Sequence, residues 1–222
     1  MIRAKCIKEK IKRLFSRRSF AKRMIQEIFI EEYKRIDPII DKIAEAAWDL
    51  HMDVGQKYGK EEYGVHLEMV NERIISYGSE VIKETSDILP IIFGGYYHDS
   101  IEDARLTYND VLEVARKFMT EEQAILAANI VYACTNEKGK TRAERANDKY
   151  YEGIRTTMYA PLVKACDRLA NIDFSSKESN SSMLSVYKNE MRHFLDSVED
   201  RTKEDQRFRI PQEIIKLLEA YL

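Results

Sequence analysis

Apolar positions recur along most of this chain at three- and four-residue spacing, the period of helices packed on one face. Ile39, Ile40, Ile43, Ala44, Ala47 and Trp48 mark one such face, and Pro38 suits the first turn of that helix. The helix should run out near Gly55, and Gly59 and Gly64 punctuate a loop holding Lys57, Lys60 and Tyr63. A second helix is expected from His66, or just after it, to Tyr77-Gly78. Pro90 then opens a short apolar run, Ile91 to Tyr97, ending in His98-Asp99. Such a run reads as a buried strand or a buried helix. Helical surroundings and the proline favour helix. Its Gly94-Gly95 pair costs about 1 kcal/mol per glycine against alanine, which a helix bears where neighbouring backbones must approach closely.

Thr107-x-x-Asp110 and Thr120-x-x-Gln123 read as capping boxes, the second ahead of a run, Ala124 to Cys134, that is apolar nearly all round. Residues 136–149 are polar, a surface loop or the start of a helix. Pro161 begins another buried segment, which ends in Asp167-Arg168-Leu169-Ala170-Asn171. Residues 173–182, with five serines, read as a loop or lid, and amphipathic helices are expected at roughly 183–199 and 211–221. The pattern predicts an all-α helical bundle with little or no sheet.

Composition supports this class: 222 residues, 44% hydrophobic and 33% charged, with 8 Gly and 4 Pro, too few for a chain of many strand turns. No stretch approaches the ~20 apolar residues of a membrane span, and the charged first residues do not resemble a secretion signal. Cys6, Cys134 and Cys166 are sparse, odd in number and without CxxC spacing, as expected of a cytoplasmic protein. The net charge of −2 hides an asymmetry. Residues 1–23 hold ten Lys or Arg against Glu9, with an apolar stripe of Ile2, Ile7, Ile11, Leu14 and Phe15. We therefore read residues 1–35 as a basic helical extension, docked on the domain or on a second subunit, as in a homo-oligomer, or else an arm for nucleic acid or an anionic membrane surface. Residues 36–222 form the main domain, with a core at about 40–175 and C-terminal helices over 183–222.

Candidate chemistry gathers at two places. Burying Asp99 at the end of an apolar helix is costly unless the carboxylate is paired or metal-bound. Glu102 lies four residues from His98, and Asp103 four from Asp99, so one helix would aim an imidazole and three carboxylates at one region. A divalent cation would relieve their repulsion. Asp167 repeats the construction, with Lys164, Arg168 and Asn171 suited to phosphate or base.

Together, Tyr63-Gly-Val-His66, Tyr97-His98-Asp99-Ser-Ile-Glu102-Asp103 and Leu162-Val-Lys-Ala-Cys-Asp167-Arg-Leu-Ala-Asn171 resemble the HD-domain hydrolases of guanosine tetra- and pentaphosphate, which include the hydrolase half of the RelA/SpoT proteins. The resemblance covers about residues 40–175. It implies an all-α HD-domain bundle and one Mn²⁺ held by His66, His98, Asp99 and Asp167. It also implies that Glu102 and Asp103 activate water, and that Asn171 and Lys57 lie near the nucleotide, with Tyr63, Lys164 and Arg168 as further binding residues. The reaction implied is release of the 3′-pyrophosphate of ppGpp. Departures fall in substrate-facing positions: Tyr58-Gly59 follows Lys57, Leu67 replaces the proline after the first histidine, Ala104-Arg105 follows the acidic pair, and Ile172-Asp173-Phe174 follows Asn171. They keep open another nucleoside mono- or triphosphate as substrate and, in a different class, a degenerate HD binding module. Tyr187-Lys188-x-Glu190-x-x-His193-Phe194 resembles a segment of small HD hydrolases, with His193 a supporting or surface residue. His51 reads as a helix-end histidine, less suited than His66 to be the first ligand.

Overall fold

A computed structural model describes residues 20–177 and 181–222. Helices dominate, and the sheet is one two-stranded ribbon, β1 (Lys57–Tyr58) against β2 (Glu61–Glu62), with Lys57 opposite Glu62. The fold is all-α, as the periodicity predicts.

α1 (Phe20–Asp53) is a single 34-residue helix with Pro38 inside it, not at its start. An interior proline forfeits a backbone bond, and packing compensates: Phe29, Ile30, Tyr33, Ile36, Ile40, Ile43 and Ala47 are all buried. The expected division at 35/36 falls within this continuous helix. Most of the basic stretch 1–23, Cys6 included, lies outside the described residues.

α2 (Gly64–Tyr77) starts two residues before His66. α3 (Ile88–Tyr97) is buried at every position and packs against α1, α2 and α6 (Glu121–Cys134). Its glycines explain themselves. A Cβ on Gly94 would stand 2.7 Å from Ile130 Cγ2, and one on Gly95 2.5 Å from Asn71 Oδ1. α4 (Ser100–Asp103) is a separate short helix, because the chain breaks at His98-Asp99. α5 (Tyr108–Ala115) and α6 carry both expected capping boxes.

The stretch 136–149 contains α7 (Arg142–Arg145), with a third capping box, Thr141 and Glu144, and leads into α8 (Asp148–Thr156), capped by Asn147. α9 (Ala160–Lys177) extends further than expected. Residues 173–177 are helical and not a loop, with Phe174 packed on the core and Ser175 buried, while Ser176 and Lys177 are exposed. α10 (Ser181–Ser197) and α11 (Gln212–Glu219) complete the bundle. Among the described residues no helix is long and apolar enough to cross a membrane. Cys134 and Cys166 are buried free thiols.

Candidate metal centre

α2, α3 and α9 bring three donors into one buried cluster: ligand atoms of His66, His98 and Asp167 all lie within 4.8 Å of one another. His66 enters from the first turn of α2, His98 from the C-terminal end of α3 and Asp167 from the middle of α9. His66 Nε2 stands 3.2 Å from His98 Nε2 and 3.3 Å from Asp167 Oδ1. Asp99 joins them, its Oδ2 2.9 Å from His98 Nε2 and 3.6 Å from His66 Nε2. Donors 2.0–2.2 Å from a shared ion stand about 3–3.5 Å apart, so these spacings fit a single small cation.

The donor set fits chemically as well. His98 Nδ1 donates to Gly95 O at 2.9 Å, which leaves the Nε2 lone pair facing the cluster. Burial disfavours charge on His98, but Asp99 and Asp167 outweigh it and push the imidazole up to about 10. Burial would likewise neutralise both aspartates. The His98 charge for Asp99, and the Lys164 charge for Asp167, instead hold these carboxyls well below their usual range. Without a cation the cluster therefore keeps a proton on His98, and a divalent ion would take its place and release it.

Further groups orient the donors. The Tyr63 hydroxyl donates to Asp99. Lys164 Nζ pairs with Asp167 Oδ2 at 2.9 Å, and Asn171 Nδ2 donates to Asp167 Oδ1 at 2.5 Å. Tyr58, buried against His66 and Phe174, donates to Asn171 Oδ1 at 3.2 Å. Asn171, expected at the nucleotide, is thus tied to Asp167 and Tyr58. No family model, curated protein or solved structure matches this chain.

A cavity of about 240 Å³ opens beside the centre, lined by Asp99, Glu102, Asp103, Lys164, Asp167, Arg168 and Asn171, with Gln56, Asn136, Arg142, Arg145 and Glu190. At about 30 Å³ per liquid water it holds more than an ion and its waters need. Glu102 is exposed, and its carboxylate accepts from Asn136 N at 2.7 Å and Asn136 Nδ2 at 2.9 Å. α3 and α4 are separate helices, and Glu102 and Asp103 of α4 line the cavity together with Asp99 and Asp167. Asp103 accepts from Gln56 Nε2 at 3.0 Å, and burial, with the Asp99 and Glu102 charges, pushes its carboxyl up to about 6.

Lys57 is exposed on β1 and does not line the cavity; its neighbour Gln56 does. Arg168 lines the cavity but is bonded to Glu190 at 2.9 Å. His193 is exposed against Tyr151. His51 does end a helix, yet it is fully buried, stacked on Tyr63 at 4.6 Å between ring centroids. Periodicity gives no sign of Gln56 or Asn136. Arg142 was within reach, because Thr141-x-x-Glu144 spells the capping box of the helix that carries it.

Proposed function

We propose that this chain is a metal-dependent phosphohydrolase of the HD type acting on a nucleotide, with the 3′-pyrophosphate of guanosine tetra- or pentaphosphate as the substrate its motifs favour. The observation that carries this reading is the convergence of His66, His98, Asp99 and Asp167 at coordination spacing on the wall of a polar cavity. Oxygen and imidazole donors without thiolate suit Mn²⁺ or a similar ion. When bound, such an ion would lower the pKa of an attacking water and polarise a phosphoryl oxygen.

Asp103, half-buried and pushed up to about 6, is the carboxylate suited to take the proton of that water near neutral pH. Glu102, held by Asn136, fixes the water's position. Tyr63 aims Asp99, and Lys164 keeps Asp167 ionised and aimed. One observation favours a different nucleotide within the same chemistry: the loop residue expected to hold guanine and phosphate, Lys57, stands outside the cavity.

The test is phosphate and pyrophosphate release from ppGpp, GTP, dATP and dAMP, with Mn²⁺ and after chelation. Manganese-dependent release of pyrophosphate from ppGpp alone supports the favoured substrate, and activity on another nucleotide alone supports the second reading. Asp99→Ala should lose metal binding and turnover together. Asp103→Asn should keep the metal and lower turnover by about 10²–10⁴-fold, the contribution of a general base. Full activity in Asp99→Ala would sink the metal assignment.

A further inference from the structure

The N-terminal half of α1 presents three faces, and two of them are accounted for within one chain. Phe29, Tyr33, Ile36, Ile40 and Ile43 are buried against the bundle. Glu27, Glu31 and Lys34 are exposed, an ordinary charged solvent face. Between them runs a third line, Ile25, Ile28, Glu32, Arg35 and Ile39, with successive spacings of three, four, three and four residues. That is the a and d repeat of a helix that packs along another helix. Ile25 and Ile28 on this line are 49% and 53% exposed.

The space beside the line is open. A groove of about 670 Å³ lies between α1 and the connection from α5 to α6, lined by Glu32, Arg35, Ile36 and Ile39 on one side and by Phe118 and Met119 on the other. Among the described residues its lining charges are Arg35, Arg116 and Lys117 against Glu32 alone. A segment as basic as residues 1–23 is repelled by that balance. A second copy of α1 fits instead, because the line is its own complement. When two copies lie antiparallel about a twofold axis crossing between Tyr33 and Lys34, Glu32 faces the partner's Arg35 and Arg35 faces the partner's Glu32. Ile28 then faces the partner's Ile39, and Ile39 the partner's Ile28. Apolar layers thus flank two charged ones, an arrangement that fixes register.

We propose that this line on α1 is a homodimer interface, an antiparallel pairing with α1 of a second copy in which Glu32 and Arg35 of the two chains form one ring of charges. Within a chain, Arg35 Nε and Nη2 grip Glu32 at 2.9 and 2.5 Å, yet the Arg35 side chain remains 72% exposed. A guanidinium has five donors, so its outer edge stays open for the partner's Glu32. Charges of alternating sign around the axis set partner and register, and the isoleucine layers on either side remove apolar surface from water. The contact is independent of what the metal centre hydrolyses, and it seats the second subunit on α1 and not on the basic residues 1–23.

Sedimentation velocity on the full chain reads the mass directly. The wild type should sediment at twice the mass of one chain at micromolar concentrations. Ile28→Lys, at an exposed position where folding cost is small, should return it to the mass of one chain. Glu32→Arg places like charges across both central layers, and Arg35→Glu does the same with the other sign, so each alone should be monomeric. Mixed in equal amounts, the two variants become complementary and should recover the doubled mass. No effect confined to one chain's own fold produces that recovery. Thermal melts check that each variant is folded, and Ile28→Lys decides alone if a charge variant is not.

A wild type that sediments as a single chain overturns the interface; if Ile28→Lys then also lowers Tm, the apolar line is covered by the chain's own residues 1–19. A wild-type dimer that survives Ile28→Lys and both charge variants is built on another face, which overturns it equally. Charge variants that are monomeric, melt like the wild type and fail to recombine overturn the antiparallel register. Each of these results leaves metal-dependent turnover untouched as a finding.

Discussion

His51 and His98 share one buried neighbourhood and titrate in opposite directions. His98 is pushed up to about 10 by two aspartates that overcome its burial, whereas burial takes His51 down to about 4, offset only in part by the Asp99 charge. Both ring nitrogens of His51 lack a hydrogen-bond partner among the described residues, so it is carried as a neutral imidazole. In the unfolded chain His51 regains its ordinary value of 6.5. Between pH 6.5 and 4 the unfolded state therefore binds the extra proton, and stability falls as pH falls. The full contribution is about 3 kcal/mol at 1.36 kcal/mol per pKa unit. His51→Phe, which keeps an aromatic ring against Tyr63, should remove that loss. Urea unfolding of wild type and variant across this range, in chelator, should show two curves that separate toward acid, and parallel curves would refute it. The difference between these histidines was only partly legible in the sequence. Asp99 beside His98 advertises a charged site, but nothing near His51 in the chain shows that Tyr63 will fold over it.

At the scale of elements, packing decides where sequence rules divide. Pro38 reads as a helix start, yet α1 runs through it, because apolar positions from Phe29 onward continue the buried face upstream. Serine content reads as a loop at 173–177, yet α9 continues there, anchored by Phe174 against the core and by buried Ser175. The glycines of α3 were legible, since their cost in helix propensity asked for a crowded helix and α2 and α6 supply the crowding. Gly95 does a second thing: its carbonyl accepts the hydrogen bond donated by His98 Nδ1. Gly95→Ala would place a methyl 2.5 Å from Asn71 Oδ1 and 2.7 Å from Ile74 Cδ1. It should cost about 1–3 kcal/mol as overpacking and weaken metal binding, because α2 carries His66 and must move. Calorimetric unfolding and Mn²⁺ titration check the two effects, and a destabilised variant with wild-type metal affinity would uncouple the packing from the centre.

For the molecule as a whole, the centre ties together parts of the bundle that are far apart in sequence, so an ion held there should stabilise the entire fold. At about 100 times its dissociation constant a ligand of the native state adds about 2.7 kcal/mol. For a chain of 222 residues this raises Tm by about 5–10 °C. Scanning calorimetry with Mn²⁺ and with chelator should show that gap in the wild type and its collapse in Asp167→Asn. The order His66, His98-Asp99, Asp167 was readable along the chain; the Arg142–Glu190–Arg168 bridge was not, because these residues meet only once α7, α9 and α10 have packed. The spread of donors also has a consequence for biosynthesis. A ribosome that has reached residue 160 has made both histidines and Asp99, but neither Asp167 nor the Lys164 and Asn171 that hold it. An ion would thus be captured late, by a chain whose α9 has been made and docked, and fragments released earlier would leave empty.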